Sequence, residues 1–379
     1  MLAFWMMTWS HFIACKGCQD TKVSEIDTGL IEEFGNNWGK WLDMDVTPDG
    51  QPVIAYYDST HGALGLATGT LSENGVTWSH EEIDGYPNEQ GLDQGDRGAY
   101  ASLAIDNAGS TWITYYDASL QTLKYATRTT DATEWTIGVA DTGGGGTPDA
   151  GLFSDVTFDA QGNPVVAHYD RFRGELRVAH WNGNSFSGEV VDAGADYDNG
   201  TEVIGADTGK FASITIVEGL EYIAYYDVAA GNLMLAKGLS GSYSTEVVDA
   251  DGDVGQWTDI EVVGGTVHIS YHDVTSNALK LASGLPANWT KQMVEQGKMI
   301  GADTALLNTD SGLLIAYQDA FNNDIKLASQ NNSSWTIETL GGTDAALGFH
   351  NTLVDIDGSV YAACYNYTTE KVWFSNIDE

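Results

Sequence analysis

Six aspartates recur at the ends of aromatic-rich apolar runs: Asp58, Asp117, Asp170, Asp227, Asp273 and Asp319, with Asn366 in a seventh such place. Carboxylates repeated in this way could hold cations or the hydroxyls of a ligand. The tyrosines just before them, Tyr57, Tyr116, Tyr169 and Tyr226, carry ring faces suited to sugars and peptides. The simpler chemistry is local. An aspartate at a strand end accepts backbone N–H groups about two residues on and fixes the turn. The paired tyrosines (Tyr56 and Tyr57, Tyr115 and Tyr116, Tyr225 and Tyr226) are expected to pack, with a hydroxyl tie between neighbouring repeats.

Other groups could do chemistry as well. Asp249, Asp251 and Asp253 alternate as in a calcium loop, although Val254 and Ile260 stand where an EF-hand has Gly and Glu. Hard oxygen ligands favour Ca2+ as the one cofactor to expect. Asp196-Tyr197-Asp198-Asn199-Gly200 is a weaker candidate of the same kind. Arg97 and the pair Arg171 and Arg173 are the cations placed to hold an anionic substrate, with ion pairs to neighbouring acids as the bland alternative. His61 and His350 are expected to approach each other if the two ends of the chain meet. No G-x-S-x-G, H-E-x-x-H or P-loop pattern is present, and the glycines at 143–146 open no helix.

The elements that must position these groups follow from the spacing. The phrase IAYYD at Asp58 returns as ITYYD, VAHYD, IAYYD, ISYHD, IAYQD and ACYN, at steps of 59, 53, 57, 46, 46 and 47 residues. A period near 50 residues with four short strands per copy is the pattern of a propeller. In the second copy residues 100–106, 111–117, 123–126 and 135–141 read as four antiparallel strands, A to D. The third strand recurs as LKYA, LRVA, LMLA, LKLA and IKLA, and the fourth begins at Trp78, Trp135, Phe186, Tyr243, Trp289 or Trp335. The seventh copy lacks a fourth strand, and residues 21–27, ending Glu25-Ile26-Asp27 like Glu82-Ile83-Asp84, can supply it. The expected fold is all-β: a seven-bladed β-propeller, four antiparallel strands per blade, with the N-terminal strand closing the last blade. The long loops 85–98, 142–152, 193–210 and 250–256 then join D to A strands, on the face that carries the Tyr-Asp corners. Long loops on one side of a repeat array mark its working face.

Composition agrees with a single repeat domain over residues 21–379. Glycine is abundant at 44 and proline scarce at 6, and the chain is longer than one core usually serves. The net charge of −38 excludes nucleic acid as a natural partner and disfavours anionic lipid. Residues 1–20 read as an export leader and tether. Met1 to Ala14 are apolar, and Phe12-Ile13-Ala14-Cys15 resembles a lipobox, with Cys15 as the residue to be acylated. The run is too short to span a bilayer, so no transmembrane segment is expected, only a possible lipid anchor and an extracytoplasmic location. Cys364 falls in an expected inner strand and reads as a small buried residue. Cys15 and Cys18 have CxxC spacing without redox context.

The repeat IAYYD…LKLA…W…VD resembles the seven-bladed propellers of bacterial surface and secreted proteins near the sialidase-like superfamily, over nearly all of residues 21–379. The resemblance implies the fold. Sialidases need an arginine triad, a Phe/Tyr-Arg-Ile-Pro stretch and S-x-D-x-G-x-x-W boxes. This chain has five arginines, none in such a stretch, and residues 106–112 match the box with one residue too many. Propeller lectins that bind sugars between blades are the nearer analogy. The function expected is therefore non-enzymatic binding of a glycan or surface protein on the loop face. The alternatives are a carboxylate-dependent glycosidase or polysaccharide lyase, and a passive scaffold in an envelope complex.

Overall fold

The structure, a computed structural model, describes Ser24–Glu25 and residues 37–378 apart from 74, 88–89, 199–202 and 342–344. The leader, with Cys15 and Cys18, lies outside the described residues.

Seven four-stranded antiparallel sheets form a ring around a central channel. The innermost strands are Trp38–Val46, Arg97–Ile105, Ala150–Phe158, Thr208–Val217, Val254–Val263, Ile300–Thr309 and Phe349–Ile356. Each continues outward as in blade 1, through Pro52–Asp58, Ala63–Ser72 and Gly75–Asp84. The seventh blade takes its outer strand from the other end of the chain. Ser24–Glu25 pairs with Lys371–Asn376, with Glu25 opposite Trp373. In blade 1 Glu82 faces Gly65, the residue one beyond the partner of Tyr57; Trp373 stands one beyond the partner of Tyr365. Glu25 thus occupies the place of Glu82, as the shared Glu-Ile-Asp ending leads one to expect.

Among the described residues the apolar side chains form several clusters and no single core. The apolar clusters lie between blades: Val53, Ala55, Leu64 and Leu66 of blade 1 pack on Leu103, Ile113, Tyr115 and Ala126 of blade 2. Blades 7 and 1 are joined in the same way through Val354, Tyr365 and Val372 against Leu42, Ile54 and Tyr56. Each blade therefore buries its faces only on its neighbours, which is how the chain exceeds the size of one core.

Every innermost strand is bulged near its start, with register shifts such as those between Trp38, Lys40 and Asp43. Trp38 lies opposite Asp58, so the starts of the A strands share one face with the ends of the B strands. The D–A loops and B–C turns crowd that face, as expected. The long loop after Asp192 carries a small ribbon of its own, Tyr197–Asp198 with Val203–Ile204. Cys364 is fully buried in the second strand of its blade, where burial pushes its thiol up to about 12.

Candidate functional site: the aromatic mouth of the channel

The bulge gives the loop face its central feature. Two residues after a glycine, each A strand turns one residue into the left-handed region: Trp41, Tyr100, Phe153, Phe211, Trp257, Asp303 and His350, with φ between 45° and 55°. Such a conformation costs a non-glycine residue about 1–2 kcal/mol, and strain of this kind collects at working surfaces. The preceding glycine is required twice over. Gly151 has φ +114°, and a Cβ there would lie 2.6 Å from the Cα of Leu123 in the previous blade. Only glycine lets the A strand press this closely against its neighbour.

The seven side chains form a collar. Ring centroids follow one another at 5.1 Å (Trp41–Tyr100), 4.7 Å (Tyr100–Phe153), 4.6 Å (Phe153–Phe211) and 4.9 Å (Phe211–Trp257). His350 lies 5.7 Å from Trp41 on the other side. The collar lines a cavity of about 200 Å3 with no Lys or Arg among its lining residues. Asp303 fills the one place without a ring, 4.0 Å from His350 Nδ1. Burial raises the Asp303 carboxyl to about 7, against the pull of the His350 backbone N–H. Burial, with the charge of Lys40, lowers His350 to about 4. At neutral pH the histidine is uncharged, and Asp303 gives up its proton less readily than an exposed aspartate does. Asn351 donates to the Asp303 carbonyl at 2.6 Å, and its buried amide oxygen has no donor in the protein.

The layer beneath is polar. Asp43, Asp155 and Asp259 alternate with Ser102 and Ser213 around a channel space of about 300 Å3. Each aspartate accepts a backbone N–H from the next blade: Leu103 at 2.8 Å, Ile214 at 2.7 Å and Leu306 at 2.6 Å. Burial raises all three carboxyls, Asp155 and Asp259 to about 7.

The tyrosines singled out in the sequence form the tier behind the collar. Trp41 packs edge-on to Tyr57, and Tyr100, Phe153 and Phe211 contact Tyr116, Tyr169 and Tyr226. Their hydroxyls reach the last acid of the next D–A loop: Tyr57 to Asp96, Tyr116 to Asp149, Tyr169 to Asp207 and Tyr226 to Asp253, at 2.6–2.8 Å. Burial first, then these carboxylates, push the phenols up, so all four are neutral donors. The inter-blade hydroxyl tie expected from the sequence is present.

The six recurrent aspartates cap the B–C turns. Asp58 Oδ1 accepts from Thr60 N at 2.9 Å, Asp117 from Leu120 N at 2.8 Å, Asp170 from Arg173 N at 3.1 Å and Asp227 from Ala229 N at 3.1 Å. Asp58, Asp117 and Asp170 are fully buried. The arginines are all paired: Arg97 with Asp84 (2.7 Å) and Asp117 (3.1 Å), Arg171 with Asp149 (2.6 Å), Arg173 with Asp170 (2.8 Å). His61 and His350 are not brought together. His61 binds Asp58 at 2.6 Å and lies tilted against Tyr86, ring centroids 5.5 Å apart, whereas His350 belongs to the collar. His61 stands in a B–C turn, and His350 in the bulge of an innermost strand.

A second set of acids was seen in the sequence only as strand endings. Asp84, at the end of a D strand, accepts from Tyr115 of the next blade at 2.6 Å and pairs with Lys124 and Arg97. Burial works to raise this carboxyl, but Lys124, Tyr115 and Arg97 hold it below the usual carboxylate range. Asp249 repeats the arrangement. Its Oδ2 accepts from Tyr271 at 2.7 Å and lies 3.4 Å from Lys280, and its Oδ1 lies 3.4 Å from Lys291. Asp251 is exposed, and Asp253 holds Tyr226. Among the described residues no three His, Cys, Asp or Glu side chains converge as a metal shell.

No family model and no curated protein matches the chain. Solved structures do. The polysaccharide lyase Uly1 aligns with TM-score 0.55 at 10% identity, covering 89% of this chain and 89% of that one. The Hadza microbial sialidase Hz136 aligns with TM-score 0.51 at 12% identity, covering 90% and 66%. A prolyl endopeptidase aligns with TM-score 0.55 at 9% identity, covering 91% and 49%. The chain thus spans just under two thirds of the sialidase and about half of the endopeptidase. At these identities the likeness is one of fold.

Proposed function

We propose that this chain is an exported, non-enzymatic binding propeller whose glycan ligand enters the mouth of the channel end-on and stacks against the aromatic collar. The reading rests on one observation: five of the seven collar positions carry aromatic rings, each held in a strained backbone conformation beside a cavity on the loop face. Ring faces give sugars a large, rigid contact at little entropic cost. The same face exposes Leu120, Phe172, Phe321 and Tyr367 in its B–C turns, which extends the contact area beyond the mouth. A surface protein presenting such a glycan fits the same surface. Export would follow from the leader, with Cys15 acylated as an anchor, and incorporation of labelled fatty acid that disappears in Cys15→Ser is the check.

A glycan array probed with the full chain, followed by titration of the retained sugars, tests the binding reading. Trp257→Ala and Phe153→Ala should each weaken binding at least tenfold while the protein keeps its fold. An array without a retained ligand, or binding indifferent to both substitutions, overturns it.

One observation favours a second reading, a glycoside hydrolase. Asp303 is a buried carboxyl in the lining of the mouth, and burial shifts it toward the protonated form that a general acid needs. Hydrolysis also needs a second carboxyl roughly 5–10 Å away across the cleft, and no other collar position carries one. Polysaccharide turnover that vanishes in Asp303→Asn would establish this reading.

A further inference from the structure

We infer that the mouth selects a glycan by its ammonium group, taking an amino sugar with a free primary amine against Asp303 and the neighbouring ring faces. The inference rests on the reading that the mouth binds glycan, and adds the class of sugar.

Three features of the mouth point this way. The first is charge. The lining of the collar and of the layer beneath contains four carboxyl groups, Asp303, Asp43, Asp155 and Asp259, and no Lys or Arg. A low-dielectric cleft of one sign focuses its field on an opposite charge, and the whole chain carries −38. A sialic acid or uronate would meet these carboxyls with no arginine to offset them, because the described arginines near this face are engaged by Asp84, Asp117, Asp149 and Asp170, and Lys40 and Lys210 stand only at its edge, over Tyr365 and Tyr169.

The second is the collar itself. Aromatic faces attract an ammonium through their quadrupole. The protein already uses this contact at the edge of the same face: Lys210 lies 5.3 Å over Tyr169 and Lys40 5.9 Å over Tyr365. Trp41 and Trp257, the strongest rings for such a contact, flank the His350–Asp303 gap.

The third is that the gap offers acceptors without offering a cation. Asp303 faces His350 Nδ1 at 4.0 Å, and burial keeps that histidine neutral. The buried Asn351 amide oxygen beside it lacks a donor. An ammonium with three N–H groups satisfies what the protein leaves open, whereas an N-acetylated amine brings one N–H and a methyl. An ammonium seated there would also favour the charged form of Asp303 over the neutral one.

The test titrates the full chain with three trisaccharides of equal length: glucosamine trimer, its fully N-acetylated form, and cellotriose. Tryptophan fluorescence and calorimetry report binding. The glucosamine trimer should bind at least tenfold more tightly than the other two, and Asp303→Asn should erase that preference, so that the variant, checked for a cooperative thermal transition, binds all three sugars alike. Equal affinity for all three sugars overturns the ammonium inference and leaves the glycan reading standing. Absence of binding by all three, with other glycans also silent, overturns both. A preference that survives Asp303→Asn but disappears in salt reflects overall charge and overturns the assignment to the mouth. Trilysine binding as tightly as the glucosamine trimer would overturn the restriction to sugars.

Discussion

The Tyr116 hydroxyl donates to Asp149 Oδ1 at 2.7 Å, across the seam between blades 2 and 3. The same phenol ring lies 6.4 Å from Tyr100 in the collar. One side chain therefore fixes two things, the docking of adjacent blades and the position of a mouth residue. Removing only the hydroxyl separates these roles. Tyr116→Phe should lower stability by about 1–2 kcal/mol, since Asp149 loses a buried donor and keeps Arg171. Ligand affinity at the mouth should fall less than in Trp257→Ala. Chemical denaturation and a binding titration on the same variant check both parts; unchanged stability would show that the tie is idle.

That tie was legible in the sequence, and the collar was not. The repeat betrays itself through Tyr57-Asp58 and its copies because strand B is regular, so its aromatics and its turn aspartate return at fixed places. Closure by Ser24–Glu25, within the strand expected over residues 21–27, was legible for the same reason, from a missing fourth strand and a matching Glu-Ile-Asp; the rest of that expected strand lies outside the described residues. The collar residues stand in a bulged stretch, where one left-handed residue breaks the two-residue alternation. Their identities also vary, from Trp41 through Phe153 to Asp303 and His350. What does not vary is the glycine two places earlier: Gly39, Gly98, Gly151, Gly209, Gly255, Gly301 and Gly348. That pattern was the available signal. The role of Asp84 could not be read locally, because Tyr115, which it accepts from, is 31 residues away in another blade.

Stability should peak in mild acid. Asp155 and Asp259, raised to about 7 from an ordinary 3.8, favour the protonated form in the folded state. Their contribution is fully present below 3.8 and is lost as pH rises through 7. The groups facing them are Asp43, Glu261, Ser213 and the N–H groups of Ile214, Ile260 and Leu306, none of them cationic. Asp84 and Asp249 act in the opposite sense: held low by Lys124 and Lys280 among others, they lose their contribution as pH falls below the ordinary carboxylate range. The melting temperature should therefore rise from pH 8 to about pH 5 and fall again below about pH 3.5. In Asp155→Asn the rise between pH 8 and 5 should shrink. A flat profile across that interval would contradict the buried, uncompensated state of these carboxyls.

Closure of the ring makes a sharper demand. Ser24 and Glu25 are paired with Phe374 and Trp373, and they are the fourth strand of blade 7. A chain beginning after residue 20 keeps that strand and should melt like the full chain. One beginning after residue 27 exposes the edge of Lys371–Asn376, and should melt at lower temperature and aggregate, as unpaired edges do. Identical melting of the two truncated forms would remove the N-terminal strand from the account of closure.

Calcium offers the last test, and the structure shapes its expected outcome. The loop after Asp249 has the alternating carboxylates of a calcium site, yet two of the three are already engaged. Asp249 is buried between Tyr271, Lys280 and Lys291, and Asp253 accepts the Tyr226 hydroxyl at 2.6 Å. A divalent ion bound by both would have to displace two lysines and break an inter-blade tie, and Asp251 alone supplies too few oxygens for Ca2+. Millimolar calcium should therefore raise the melting temperature no more than millimolar magnesium, both acting by screening a chain of charge −38. Asp251→Asn should leave that response unchanged. A rise specific to calcium and abolished by Asp251→Asn would mean that the loop rearranges around an ion, stabilising the fold by mass action, and that Asp249 gives up its lysines to do so.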